Sequence, residues 1–411
     1  MESTSEPEVT PSVFAAPVLA PRVQPHLAQA VEPTLLLSAT RAGVRIVCDH
    51  ISQCFAQELV CSQALRAWGL NLWVQCSIDT LVGPPALVLR LAMRPYGEWT
   101  PNSDTTRLCE QLRLDTASSA LDLQREIVLA LLASPVPQSF PSAQEFLAAV
   151  RMRVHLVQAA RRTVLNFGTA QAERPEHNWT YDEERGFVVR PGCDLVQALE
   201  DATQPGERGL RYSFSCYRAS EYLLLLAIAK EARENNPVLY AQLQSQWESR
   251  AIKSGEFHEV FLRELGSQSQ PLPPKFWVPG DRTWFRNPDG FSSDASGFEG
   301  SWVIYLGNGE FSNFWKWQQP FTLSDKCLEI FHWRNATFVD AQGDLRVDED
   351  KVASLVAASR QDAAEVAHIL DKMQRLRDPQ GIYQEGGCID SSREFPKWVC
   401  PGTSDISLPV V

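Results

Sequence analysis

The stretch LRYSFSCYRASEYLLLLAIA, Leu210–Ala229, joins a short alternating segment to a long apolar one. Tyr212–Ser215 alternates aromatic and polar side chains, as an extended segment does, whereas the residues from Tyr222 onward are apolar without interruption and predict a buried helix. Since the pattern changes at Cys216, we expect this thiol at the first turn of the helix. A helix N-terminus favours a thiolate, and Arg218 adds positive charge. Cys216 is therefore a candidate nucleophile, although most cysteines at such positions are buried packing groups.

Upstream of this stretch, the sequence predicts two parts and an arm. Residues 1–33 place six prolines among small residues, which predicts a disordered arm because such a segment buries no core. Residues 34–140 mix short strand patterns with helical ones, and they predict a small α+β module of unknown role. The region 141–378 begins with an amphipathic helix at Ser142–Val164, whose apolar residues recur at helical spacing.

Downstream, the clearest local signal is a hairpin. Trp302–Leu306 and Phe311–Trp317 flank Asn308-Gly309, which supplies both positive-φ residues of a type I′ turn. We therefore predict a tight two-residue hairpin. The other downstream patterns predict strands at Leu328–Phe331 and Thr337–Val339, one helix at Asp348–Arg377 and an irregular tail at 379–411.

The composition excludes several classes of protein. The 411 residues are 44% apolar, enough for a sizeable core, and their 50 acidic and 38 basic side chains give a net charge of −12. An acidic surface repels phosphates and anionic lipids, so we expect neither nucleic acid nor a membrane as partner. Residues 1–8 lack the basic and apolar parts of a secretory signal, which favours a cytoplasmic protein or export without a recognisable signal.

The ten cysteines show no zinc-binding pattern. None forms a CxxC pair, and no cysteine pair stands beside a histidine pair at metal-ligand spacing. The chain also has no GxGxxG and no P-loop motif. We therefore expect buried free thiols, no metal site and no phosphate-binding loop, although Cys388 and Cys400 could pair in an oxidising compartment.

Five segments in order along residues 145–345, about half of the chain, resemble the spore-coat transglutaminase family of Bacillus. They are Phe146–Val164, Leu210–Ala229, the set Gly280-Asp281 with Phe285 and Asn287-Pro288, Gly300–Gly307, and the hairpin that follows. The resemblance implies an α+β fold, namely a papain-like cysteine transglutaminase core with an antiparallel sheet, preceded here by the small α+β module.

The resemblance also implies a chemistry. The Cys216 thiolate would attack the carboxamide of a protein glutamine, and a lysine amine or water would take the acyl group from the thioester. The partners would then be protein substrates with Gln and Lys side chains, and no cofactor would be needed. The alternative is a catalytically inactive transglutaminase-like module that binds a protein partner.

The positions of the family's other catalytic residues hold different side chains here. Ser215 stands immediately before Cys216, and Ser301 follows Gly300, where the family carries glutamates. The place of the family's histidine falls on Asn313, or on Phe314 if the turn is aligned without a gap. Asn313 can donate a hydrogen bond to an oxyanion, but it does not shuttle protons at neutral pH.

Another residue would have to restore the base. His332 is the candidate, predicted on the strand Leu328–Trp333 downstream of Cys216, with Asp340 or Asp344 able to orient it. Glu299, one residue ahead of Gly300, could supply a carboxylate, as could Glu221. If none of them acts on the thiol, the fold would be a pseudoenzyme kept for binding.

Overall fold

The computed structural model describes residues 41–81, 83–168, 172–206, 209–378 and 386–409. The predicted arm at 1–33 lies outside the described residues. The unit Ala39–Val411 contains all the elements that follow.

A four-stranded sheet forms from residues 44–140. Its strands are β1 (Val44–Val47), β2 (Val74–Asp79), β3 (Ala86–Leu91) and β4 (Gln138–Phe140), in the order β2-β3-β1-β4, and its helices are α1 (Ile51–Ala67), α2 (Met93–Trp99), α3 (Leu108–Leu112) and α4 (Ala120–Leu132). Within this sheet, β1 and β4 pair in parallel and the other described pairs are antiparallel. The mixed strand and helical patterns of this region therefore form both strands and helices. The boundary near residue 140 stays a prediction, and one hydrophobic core includes residues from Val44 to Cys400.

The middle of the chain is mostly helical. Its helices are α5 (Ala143–Arg162), α6 (Leu195–Thr203), α7 (Cys216–Asn235), α8 (Pro237–Ser249) and α9 (Ser254–Phe261). Two short strand pairs accompany them: β5 (Asn166–Phe167) pairs with β8 (Ser213–Phe214), and β6 (Trp179–Asp182) pairs with β7 (Gly186–Val189). Residues Leu223–Ala229 of α7 are completely buried, because α5, α6 and α8 pack around this helix. The apolar run thus forms the predicted buried helix.

The largest sheet is antiparallel and has six strands. They are β9 (Leu262–Leu265), β10 (Arg282–Arg286), β11 (Gly300–Gly307), β12 (Glu310–Phe311), β13 (Phe321–Thr322) and β16 (Arg393–Pro396), in the order β13-β12-β11-β10-β16-β9, and α10 (Gly290–Ser293) lies between β10 and β11. The hairpin turn is confirmed, since Asn308 and Gly309 have φ values of 54° and 70°. The second hairpin strand is shorter than predicted. It ends at Phe311, because the Ser312 hydroxyl then accepts the hydrogen bond from the Ile304 N–H.

Three other predictions in the last third of the chain are wrong. The segment Leu328–Phe331 lies in the helix α11 (Leu323–Ala336), which Thr322 and Asp325 start with a capping box. The predicted single helix at 348–377 is two, α12 (Glu349–Ser359) and α13 (Ala363–Met373), because Asp362 caps a new helix. The tail is not wholly irregular, since β16 pairs with β9 and β10. The strand β14 (Thr337–Val339) is confirmed and pairs with β15 (Leu345–Val347).

Helices and a largely antiparallel sheet therefore make an α+β fold. A second core cluster, which includes Trp277, Phe285 and Phe311, joins the six-stranded sheet to α11–α13. No helix within the described ranges combines the length and the apolar character that crossing a membrane requires.

Candidate functional site

Cys216 is the first residue of α7. Ser215 is the N-cap, and its hydroxyl accepts a hydrogen bond from the Arg218 N–H at 3.1 Å. The first N–H groups of a helix have no partner within the helix, so the amides of Cys216 and Tyr217 remain available at this end. The positive end of the helix dipole therefore lies at the half-buried thiol, as the sequence predicts.

Cys216 lines a cavity of about 450 Å³. Ser301 at the start of β11 and Asn313 after β12 line the same cavity, as do Lys326 and Glu329 of α11. The fold thus brings the thiol together with Ser301 and Asn313, the two positions at which the family resemblance implies a glutamate and a histidine. Ser215 stands where the resemblance implies another glutamate, and it is the N-cap of α7.

Asn313 is 9% exposed, and its side-chain oxygen accepts a hydrogen bond from the Trp315 N–H at 3.2 Å. Its amide group can therefore still donate to a ligand in the cavity. Phe314, the alternative position for the family's histidine, is 2% exposed and packs in the main core. Of these two positions, only Asn313 lines the cavity.

The surroundings of the Cys216 sulfur act on its pKa in opposite directions. Burial raises the pKa of the thiol above its ordinary value. The backbone N–H of Trp302, the charge of Lys326, the backbone N–H of Tyr217 and the charge of Arg282 lower it, but burial prevails. The resting group at neutral pH is therefore the neutral thiol, surrounded by groups that would stabilise a thiolate.

Lys326 is a cavity residue that the sequence did not reveal. Its side chain is 3% exposed, and its Nζ donates to Glu329 Oε2 at 2.9 Å and lies 3.6 Å from the centre of the Phe321 ring. The sequence signal that could have found it is the Thr322–Asp325 capping box. That pattern predicts a helix, on which Lys326 and Glu329 share a face.

His332 lies in α11, so the strand predicted for it is wrong. Its ring Nε2 is 2.8 Å from the Ser359 hydroxyl, which donates to Glu365 Oε1 at 3.0 Å, and its Nδ1 is 3.2 Å from the Asn335 amide. Burial lowers the pKa of this imidazole. His332 does not line the cavity, and its ring contacts Ser359 at the end of α12. A catalytic role for it stays a prediction.

The carboxylates proposed from the sequence are engaged elsewhere. Glu299 is exposed, and its Oε1 accepts a weak hydrogen bond from the Gly297 N–H at 3.3 Å. Glu221 is buried and accepts from Arg218 and from Ser254. Asp340 pairs with Arg346 in the β14–β15 hairpin. The cavity lining in the described part of the chain includes none of them and no histidine.

A metal-assisted site has no support from the side chains. Across the ranges that the structure describes, no group of three or more His, Cys, Asp or Glu residues could hold a metal ion. All ten cysteines are free thiols. The cavity offers a sulfur nucleophile, backbone N–H donors, the Asn313 amide, the Lys326 amine and the Glu329 carboxylate for chemistry.

The fold and the cavity define an α+β protein with a cysteine at the start of a buried helix, close to an antiparallel sheet. The sequence matches the protein-glutamine gamma-glutamyltransferase family over residues 105–405, and the chain belongs to this family. This confirms the family, whereas the narrower likeness to the spore-coat members stays a prediction. No curated protein matches the chain.

Among solved structures, the transglutaminase from Geobacillus stearothermophilus (without C-terminal extension) is similar to this chain. The two share 18% identity over 53% of this chain and 98% of the other, with a TM-score of 0.32.

Proposed function

We propose that this protein is a papain-like acyltransferase that forms a thioester on Cys216 from the carboxamide of a protein glutamine. The Cys216 sulfur bonds to the carboxamide carbon, the C–N bond breaks, and the leaving nitrogen takes the thiol proton and departs as ammonia. A lysine amine of a protein, or water, then attacks the thioester, and its proton restores the thiol. The product is an isopeptide crosslink or a deamidated glutamine.

The observation that carries the proposal is the placement of the thiol. Cys216 stands at the first turn of the 20-residue helix α7 and lines a cavity of about 450 Å³. The N–H groups of Tyr217 and Trp302 are near enough to the sulfur to lower the pKa of its thiol. Such donors stabilise a thiolate and the oxyanion that forms when it attacks a carbonyl.

Lys326 is the group in the cavity best suited to carry the proton. Its charge favours the thiolate, and its amino group can pass a proton to the leaving ammonia and accept one from the attacking amine. Asn313 would then serve as a hydrogen-bond donor to the substrate. His332 and Glu299 do not line the cavity, so neither takes part in these proposed steps.

A second candidate function is a binding module without turnover. It is favoured by the burial that raises the pKa of the Cys216 thiol. It is also favoured because Ser301 stands where the family carries a glutamate and Asn313 where it carries a histidine. Such a module would hold a protein side chain in the same cavity. In both proposals the partner is a protein, and neither nucleic acid nor a membrane surface takes part.

The test is incorporation of a fluorescent primary amine into casein by wild type, Cys216→Ala and Cys76→Ala. Cys76 is an exposed thiol on β2, so its removal controls for nonspecific thiol chemistry. We expect labelling by wild type and Cys76→Ala, and none by Cys216→Ala. Labelling that survives in Cys216→Ala overturns the thioester. No labelling by any of the three proteins, together with no ammonia release, favours the binding module.

A further inference from the structure

Arg282, the first residue of β10, lies between two aromatic rings. Its guanidinium carbon is 4.0 Å from the centre of the Trp302 ring and 4.4 Å from that of Tyr217. The two rings also contact each other edge to face, with centres 5.4 Å apart at 80°. A guanidinium at these distances is attracted to both rings through cation–π interaction.

The two rings belong to the residues whose backbone N–H groups lie near the Cys216 sulfur. Tyr217 is the second residue of α7, whereas Trp302 is on β11, so the two N–H groups come from different elements. Their separation depends on how the helix start packs against the strand. Any group that contacts both side chains therefore fixes both donors relative to the sulfur.

Arg282 is itself held in place. Its Nη1 donates to Glu394 Oε2 at 2.9 Å, and Glu394 Oε1 lies 3.0 Å from His258 Nδ1. The Arg282 side chain is 1% exposed, yet its Nε and Nη2 have no hydrogen-bond partner among the described residues. Burying unpaired donors on a charged group destabilises the fold, and an apolar residue of similar size would avoid that cost. The position therefore has a use beyond packing.

We propose that Arg282 is a positioning residue for the Cys216 site. By packing against the rings of Tyr217 and Trp302 while anchored to Glu394, it holds their N–H groups in place around the sulfur. Its catalytic consequence rests on the function proposed above, because the same donors would stabilise the thiolate in thioester formation. Its effect on the reactivity of the free thiol does not depend on turnover.

The experiment measures the alkylation rate of Cys216 by iodoacetamide against pH, read by mass spectrometry of the peptide that contains it. Cys76, exposed on β2, is the internal reference thiol. The variants are Arg282→Met, which removes the charge and the planar group, and Arg282→Lys, which keeps the charge alone. The matched control is Arg263→Met. Arg263 on β9 lies 3.7 Å from the centre of the Trp398 ring and pairs with Asp405 at 2.6 Å, and it does not line the cavity.

We expect Arg282→Met to slow alkylation of Cys216 about tenfold below the thiol pKa, which corresponds to a rise of about one pKa unit. Arg282→Lys should not restore the rate, because an ammonium does not span both rings. Neither the Cys216 rate in Arg263→Met nor the Cys76 rate in any variant should change. Should Arg282→Met fail to fold, Tyr217→Leu decides, since it removes one ring but keeps the N–H and should slow alkylation in the same direction.

An unchanged Cys216 rate in Arg282→Met, or in Tyr217→Leu, overturns the inference. Full recovery in Arg282→Lys also overturns it, because charge alone would then explain the effect. These outcomes are distinct from failure of the proposed function, which would appear as absent amine incorporation by wild type while the alkylation differences persist. If both hold, amine incorporation should fall in parallel with alkylation.

Discussion

Glu126 on α4 makes the stability of the hairpin that carries Ser301 and Trp302 depend on pH. Its side chain is completely buried, and its Oε1 accepts a hydrogen bond from the Asn308 N–H at 2.8 Å, directly at the hairpin turn. Its Oε2 has no hydrogen-bond partner in the described part of the chain and lies against Gly307, where an added Cβ would be 2.2 Å away. A charge on this carboxyl is therefore poorly solvated.

Burial raises the pKa of Glu126 from 4.5 to about 7. The folded protein thus holds this proton more tightly than the unfolded chain, so raising the pH from 4.5 to 7 lowers stability. At 1.36 kcal/mol per unit, a difference of about 2.5 units lowers the free energy of unfolding by about 3 kcal/mol above pH 7. Below pH 4.5 both states are protonated and the loss disappears.

The substitution Glu126→Gln removes this titration, while the amide oxygen can still accept from the Asn308 N–H. Urea unfolding of both proteins between pH 4.5 and pH 8 should show the variant gaining about 3 kcal/mol relative to wild type across that interval. The control Glu110→Gln, at an exposed carboxylate paired with Arg107, should leave the pH dependence unchanged. Parallel curves for wild type and Glu126→Gln would refute the reasoning.

Three further predictions concern the cavity. Lys326→Met should raise the pKa of the Cys216 thiol and slow its alkylation at pH 8 by about three- to tenfold, because a cation near the thiolate is lost; an unchanged rate would remove Lys326 from the proposed proton path. Asn313→His should raise amine incorporation about 10- to 100-fold, since it places an imidazole in the cavity, and no gain would argue against a productive geometry there. His332→Gln should keep wild-type amine incorporation but lower the free energy of unfolding by about 1–3 kcal/mol, because it disturbs the buried hydrogen bond to Ser359. Loss of labelling by a folded His332→Gln variant would instead identify His332 as the base.

The sequence alone determined the features that contiguous residues encode. The change from an alternating to an apolar pattern placed Cys216 at the start of α7, and Ser215 caps that helix as a serine commonly does. Asn308-Gly309 determined the tight turn because these residues adopt positive φ at low cost. The five ordered segments indicated the family that the match over residues 105–405 confirms.

The same local reasoning failed where short patterns were ambiguous. Leu328–Phe331 is an apolar run that fits a strand or one turn of a helix, and the start of α11 at Thr322 decides between them. The four residues of β16 carry no clear strand pattern of their own. They become a strand because β9 and β10 lie on either side to pair with them.

Only the tertiary structure decided which groups surround the sulfur. Ser301, Asn313 and Lys326 are distant from Cys216 in the chain, yet they line the same cavity, whereas His332 does not. The rings of Tyr217 and Trp302 are likewise contacted by Arg282, which lies on a third element, β10. The physical reason is that turns and helix starts depend on backbone preferences of neighbouring residues. The ionisation of a thiol instead depends on burial and on charges and dipoles that folding brings within a few ångströms.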